Sequence, residues 1–187
     1  MQHFSSRNDR LSKRGVFLIV FYISSVFMLC ICFFGAYVSA QQYMKTGRLV
    51  IGEVLVNTEF PFHGTPKLIT YLMVTSVLSW FTGIKLGQDK IENIPISAKS
   101  ILQLLVVAVA LVALYEFIYN FILWSSFVTN NAVKGVYQVD RLSIPYPNPK
   151  TPWNLVFATK MTFAAFLISA HAFYILSKSN AKDRKKL

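Results

Sequence analysis

The sequence predicts an all-α membrane protein, a four-transmembrane-helix bundle whose two extracytoplasmic loops form a small cap. The first observation is the composition: 54% of the 187 residues are hydrophobic and only 14% are charged, which is too apolar for a soluble domain. The second is a set of four apolar segments near the length of about 20 residues that crosses a bilayer. The third is the uneven distribution of lysine and arginine among the segments that connect them.

The first element is a basic arm, residues 1–14, which leads into a first span at residues 15–39. A basic arm, an apolar run and "YVSA" before Gln41 are also typical of a secretory signal peptide. Apolar regions of signal peptides have about 7 to 15 residues, so the longer run favours a retained span, whereas cleavage would leave three spans. Cys30 and Cys32 lie two residues apart in this span and point in different directions. We expect them to face lipid or the core as thiols.

Three further spans complete the membrane domain, residues 15–177, and a basic tail follows at residues 178–187. These spans are placed at residues 68–84, 101–127 and 153–176. Twelve lysines and arginines lie in the arm, the loop between the second and third spans, and the tail, against six in the two longer loops. Because positive residues concentrate on the cytoplasmic side, we expect a multi-pass protein of the plasma membrane with both termini cytoplasmic. The net charge of +11 then reflects topology and attraction to anionic membrane lipids, not nucleic-acid binding.

The two outer loops, residues 40–67 and 128–152, carry most of the chain outside the membrane. In the first loop, "GRLVIGEVLV" alternates in hydropathy as a short strand does, and "TEFPFHGTPK" is rich in turn-forming residues. The second loop leads through "VDRLSIPYPNPKTPW", whose four prolines favour an extended path into the fourth helix. Loops of this length are too long for plain connectors, and we expect them to form the cap.

Polar residues inside the spans are the candidate functional residues, because a charge at mid-bilayer costs about 2.5 to 3.5 kcal/mol and requires a partner. Glu116 and Asn120 are four residues apart on the third span and share a face. Lys160 and His171 are eleven apart on the fourth span and share another face. An ion pair between Glu116 and Lys160 would be strained, since helical side chains lean toward their own amino terminus. We expect Glu116 and Asn120 to join helices, within this chain or to a neighbouring subunit.

Other interpretations of these residues stay open. Lys160 could extend to the outer interface, and His171 could be an interfacial histidine near the cytoplasmic end. The alternative of a different class is a small membrane carrier or redox-coupled proton conductor that uses Glu116, Lys160 and His171. A haem held by two histidines would require a second membrane histidine, which the sequence does not contain.

Sequence motifs of catalytic sites are missing. The chain has no P-loop, no H-E-x-x-H, no C-x-x-C and no G-x-S-x-G. His63 and Glu59 in the first outer loop are weak candidates for a metal site, because two ligands alone hold a metal poorly. We therefore expect no catalytic residues, no cofactor and no metal in this chain.

Packing features indicate partners instead. Small residues recur at the spacing of helix contacts, at Ala165 and Ser169 on the fourth span and in the alanines of the third, Ala108, Ala110 and Ala113. Aromatic residues form an expected interfacial belt at the span ends, namely Trp80, Trp124, Trp153, Tyr115, Tyr119 and Tyr174. A polar seam, packing faces and no chemistry of its own predict a subunit of a hetero-oligomeric complex, with other membrane subunits and membrane lipids as partners.

The size, the four spans, the basic ends and the stretch "YPNPKTPWNLVFATKM" resemble the small accessory membrane subunits of ammonia monooxygenase in ammonia-oxidising archaea. The resemblance concerns the general layout over most of the chain. The copper-bearing subunits of that oxidoreductase complex carry clusters of Asp and His, whereas Glu116 and His171 here lie on different helices. The resemblance therefore implies a structural role beside copper subunits and no copper site in this chain.

Overall fold

A computed structural model describes residues 2–135 and 153–184, with side chains described for residues 14–135 and 153–183. The described chain is helical and contains no β-strand. Four of its helices are long and apolar enough to cross a membrane, as predicted. The helices are α1 (Gln2–Thr46), α2 (Glu53–Asn57), α3 (Leu68–Leu86), α4 (Gln88–Glu92), α5 (Ile96–Val133) and α6 (Leu155–Arg184).

The long helices extend beyond the predicted spans. Helix α1 begins at Gln2, so the basic arm and the first span form one continuous helix. Helix α5 continues to Val133, and α6 continues to Arg184 within the predicted tail. Each residue added to an existing helix gains a backbone hydrogen bond, so a helix continues past the end of its apolar segment. The second outer loop is predicted at residues 128–152, and its proline-rich path falls within residues 136–152, which lie outside the described residues.

The four spanning helices pack as a row. Helix α1 packs against α3, α3 packs against α6, and α6 forms its most extensive contact with α5. Among the described residues, α1 and α5 share at most marginal contact with each other. These two helices therefore form the ends of the row, and each has one spanning neighbour.

Small side chains mediate the contact between α5 and α6. Ala110 and Ala113 are buried on α5, and α6 is the helix that packs extensively against α5. Alanines let two helices approach closely, and the ring of Phe117 on α5 packs on Phe163 of α6. Of the three α5 alanines that were predicted to lie at a helix contact, Ala110 and Ala113 are therefore buried. The third, Ala108, is exposed.

The segment "GRLVIGEVLV" is not a strand, so the prediction of a strand there is wrong. Residues 53–56 of the segment belong to helix α2, which packs against α1, α3 and α6. Three consecutive residues, Val54, Leu55 and Val56, are buried there, whereas a strand with one packed face would bury alternate residues. Packing of these residues against three long helices overrides the strand preference of the two valines.

The start of α6 is fixed by the first outer loop. The backbone N–H of Asn154 donates to the carbonyl of Ile51 at 3.0 Å. The Asn154 side chain caps α6, because its Oδ1 accepts hydrogen bonds from the backbone N–H groups of Val156 and Phe157 at 3.0 and 3.2 Å. Gly52 has a φ of 82°, and a Cβ there would lie 2.1 Å from the Phe157 ring. Glycine is therefore required where this loop crosses α6.

Candidate functional site

A cavity of about 390 Å³ lies between α5 and α6. Glu116 and Asn120 supply the α5 side of its lining, and the remaining residues come from the start and first half of α6: Trp153, Phe157, Ala158, Met161, Thr162 and Ala165. The i, i+4 spacing of the acid and the amide places them on one face of α5, and the structure brings both to the same cavity.

Glu116 and Asn120 have no side-chain hydrogen-bond partners in the described part of the chain. Asn120 is only 3% exposed, and its Oδ1 is buried without a hydrogen bond. Glu116 is partly buried, and no hydrogen bond or ion pair joins its carboxylate to a described residue. An unsatisfied buried polar group costs about 1–3 kcal/mol, and a charged group costs more. The Glu116 carboxylate and the Asn120 side-chain oxygen are therefore both left without partners among the described residues.

Lys160 faces a different neighbour. Its Nζ donates a hydrogen bond to Thr70 Oγ1 of α3 at 2.6 Å, and the lysine is partly buried. Lys160 thus connects α6 to α3 and does not pair with Glu116. The Lys160 ammonium therefore contacts α3 and is not part of the cavity lining, to which Glu116 of α5 belongs.

His171 also contacts α3. Its ring stacks on Phe81, with centroids 3.9 Å apart and planes inclined by 19°. The Nδ1 atom is buried and has no hydrogen-bond partner among the described residues. Lys160 and His171 thus share the face of α6 that meets α3, as their spacing predicts. The structure separates this pair from Glu116 and Asn120.

The weak metal candidates form a loop clasp. His63 Nδ1 lies 2.8 Å from Glu59 Oε2, and the backbone N–H of Gly64 donates to the same carboxylate oxygen at 2.7 Å. The Gly64 hydrogen bond lowers the pKa of Glu59 below its ordinary value, and the charges of His63 and Lys67 add to this. In residues 2–135 and 153–184, no group of three His, Cys, Asp or Glu residues is placed to hold a metal ion.

A buried ion pair at the opposite end of α6 was missed by the sequence interpretation. Lys99 is completely buried, and its Nζ donates to Asp183 Oδ2 at 2.6 Å and to the carbonyl of Glu92 at 2.9 Å. At the surface beside it, Lys182 Nζ lies 3.0 Å from Glu92 Oε2. In the sequence Lys99 is one of the positive residues that indicate a cytoplasmic loop. In the structure it joins α4, α5 and α6.

Amide and hydroxyl groups extend this cluster along α5 and α6. Gln103 Nε2 donates to Ser177 Oγ at 2.8 Å, and Asn180 Nδ2 donates to Gln103 Oε1 at 2.9 Å. The sequence contained a signal for this seam, since Ser177, Asn180 and Asp183 recur every three residues. Lys99 and Gln103 are likewise four residues apart, so each set lies on one helix face.

Four apolar helices of spanning length define the class of the chain, a multi-pass membrane protein by length and composition. The distinctive feature of its interior is the acid-and-amide cavity between α5 and α6. No protein-family model matches the chain, and comparisons with curated proteins and with solved structures gave no match either.

Proposed function

We propose that the chain is a non-catalytic subunit that scaffolds or stabilises a larger membrane enzyme complex. The observation that carries this proposal is a pair of tyrosines on α5. Tyr115 and Tyr119 stack with ring centroids 6.4 Å apart and planes inclined by 9°, and they are 67% and 45% exposed.

The depth of Tyr115 is unusual for an exposed tyrosine. It is the twentieth of the 38 residues of α5, so it lies at the middle of the helix and does not belong to the expected belt at the span ends. Tyrosine is enriched at membrane–water interfaces, where its hydroxyl meets water. In hydrocarbon the hydroxyl requires a protein partner. A partner helix that covers Tyr115 supplies one.

The tyrosines face away from the rest of the chain. Tyr115 is two residues from both Ala113 and Phe117, which corresponds to a rotation of about 200° around the helix. Those two residues pack toward α6, as Ala113 is buried and Phe117 lies 4.9 Å from the ring of Phe163. The tyrosine face is therefore available to another subunit, to which the hydroxyls can donate hydrogen bonds.

The resemblance to accessory subunits of archaeal ammonia monooxygenase supplies a candidate for the complex. In this arrangement the chain resides in the plasma membrane with both termini in the cytoplasm. Residues 47–67 and the start of α6 form an extracytoplasmic cap, which the packing of α2 and the Asn154–Ile51 hydrogen bond support. The subunit positions catalytic chains and contributes no reacting group.

Photocrosslinking in native membranes tests this role. Benzoylphenylalanine at position 115 should crosslink to one or a few other multi-pass subunits in fixed stoichiometry, as identified by mass spectrometry. Tyr174 on α6 is exposed to a similar extent, 58%, so the same probe at position 174 is the matched control. It should not give the crosslinks that position 115 gives. Native electrophoresis after gentle solubilisation should show a large complex. A lone species of 21.3 kDa plus detergent, without crosslinks from position 115, contradicts the proposal.

The alternative function, a carrier or proton conductor, receives less support from the arrangement. Lys160 and His171 contact α3, whereas Glu116 lines the cavity between α5 and α6. A Glu116→Gln variant separates the two functions, because glutamine keeps the shape of the side chain but cannot release a proton. The subunit function predicts normal assembly and normal turnover of the complex. Loss of turnover with intact assembly would favour the conductor.

A further inference from the structure

The cavity between α5 and α6 has the chemistry of a cation site. Its polar lining includes the Glu116 carboxylate, which only accepts hydrogen bonds when ionised. Thr162 adds a second oxygen: its hydroxyl donates to the carbonyls of Ala158 and Thr159 at 2.8 and 3.1 Å, which leaves the lone pairs on Oγ1. None of the described residues that line the cavity is Lys, Arg or His. Among the described residues, the site therefore presents acceptors and no cationic side chain.

Asn120 is the second polar residue of the lining. It is 97% buried, as its exposed fraction is 3%, and its Oδ1 has no donor in the described chain. The oxygen and nitrogen ends of an amide have nearly the same shape and can exchange by a half-turn, so the end that lines the cavity can be the acceptor. Neighbouring side chains at i and i+4 on a helix stand about 5–6 Å apart at Cβ. That separation allows one ammonium group to bridge Glu116 and Asn120.

The remaining walls fit an apolar body. Trp153 and Phe157 stack with ring centroids 6.1 Å apart and planes inclined by 18°, and Met161 and Ala165 continue the apolar lining. Aromatic faces also attract organic cations. The volume of about 390 Å³ lies within the range of about 300–1,000 Å³ typical of small-molecule sites. A compact molecule with one charged end matches this distribution of groups.

We propose that this cavity binds a primary ammonium group carried on an apolar body, with the ammonium held between Glu116 and Asn120. The ammonium provides the counter-charge that the carboxylate lacks in the bilayer. Two sources share this chemistry, a free amphiphilic amine and the headgroup of phosphatidylethanolamine. The site does not depend on the proposed subunit role, since Tyr115 and Tyr119 lie on the exposed part of α5.

The probe for the test is phenethylamine, and phenethyl alcohol is its neutral counterpart of similar size. Binding of each is measured by calorimetry to the full chain in phosphatidylcholine nanodiscs at pH 7. The amine should bind about tenfold more tightly than the alcohol, as expected for a hydrogen bond to a charged group. Equal binding of the two probes to the wild-type chain would overturn the proposal.

Three variants locate the site. Glu116→Gln should remove the preference for the amine, whereas Glu53→Gln, the same charge change on α2 outside the cavity, should keep it. Ala165→Phe narrows the cavity without changing charge and should weaken both probes. Circular dichroism and gel filtration verify that each variant is folded. Retention of the preference in Glu116→Gln, or full binding in a folded Ala165→Phe protein, would place the ligand elsewhere and refute the assignment.

A lipid arm identifies the source of the ammonium. Phosphatidylethanolamine added to the nanodiscs should weaken phenethylamine binding to the wild-type chain if the headgroup occupies the cavity. Unchanged binding supports a free amine, which is the result we expect, because the lining has no cationic side chain to hold the lipid phosphate. Loss of the preference for the amine in Glu116→Gln accompanies either result if the ammonium site is correct.

Discussion

The buried ion pair between Lys99 and Asp183 should be the most sensitive polar contact of the fold. We consider the Asp183→Ala variant, which removes the carboxylate 2.6 Å from Lys99 Nζ. The lysine side chain is 0% exposed, so its ammonium loses its counter-ion without gaining water. Removing one partner of a buried pair destabilises a protein by about 3–5 kcal/mol, because an uncompensated charge remains.

The structure places the expected value near the lower end of that range. The Asp183 side chain is 20% exposed, so water already weakens the pair. Lys99 also keeps its hydrogen bond to the carbonyl of Glu92 at 2.9 Å. We expect a loss of about 3 kcal/mol in the free energy of unfolding. At about 2–4 °C per kcal/mol for a chain of this size, the midpoint of thermal unfolding falls by about 6–12 °C.

Thermal unfolding in mild detergent, followed by circular dichroism, measures the effect. Lys182→Ala is the control, because Lys182 pairs with Glu92 while the two side chains are 56% and 40% exposed, and such a pair contributes about 0–1 kcal/mol. Adding Lys99→Met to Asp183→Ala should restore most of the stability, since the unpaired charge is then gone. The reasoning is refuted if Asp183→Ala unfolds at the same temperature as Lys182→Ala, or if the double variant is less stable than Asp183→Ala.

Three further predictions concern the outer loop and the topology. Gly52→Ala should lower the free energy of unfolding by about 2–4 kcal/mol, because the new Cβ has a positive φ and clashes with the Phe157 ring. Gly64→Ala, with φ +85° but open space around it, should lower it by only about 1–2 kcal/mol. Equal losses for the two variants in denaturant titration contradict the argument. The lowered pKa of Glu59 means that its contribution to the free energy of unfolding is complete above the ordinary carboxyl pKa and is lost as the pH falls through the folded-state value. The protection of the Gly64 amide from hydrogen exchange, measured relative to the intrinsic rate at each pH, should fall in that acidic range. Protection that Glu59→Gln leaves unchanged excludes the clasp. The topology is tested in a variant in which Cys30 and Cys32 are replaced by serine. An impermeant maleimide applied to intact cells should label His63→Cys and should not label Asp89→Cys. The reverse pattern excludes cytoplasmic termini.

The sequence alone determined the class of the protein and the faces of its helices. Transfer of apolar residues into lipid depends on composition along the chain, so the four spanning segments are visible in hydropathy. The periodicity of a helix is equally local, and it placed Glu116 beside Asn120 and Lys160 on the same face as His171. Spacing could have revealed the seam of Ser177, Asn180 and Asp183 in the same way.

Tertiary structure decided which faces meet. The order of helices in the row cannot be read from local sequence patterns, because many apolar faces have similar affinity for one another in lipid. That order directs Lys160 to Thr70 and leaves the cavity beside Glu116. It also buries Lys99 against Asp183, 84 residues away, and makes α2 a helix where local alternation predicts a strand. Contacts between distant segments control these outcomes, and they form only after the helices pack.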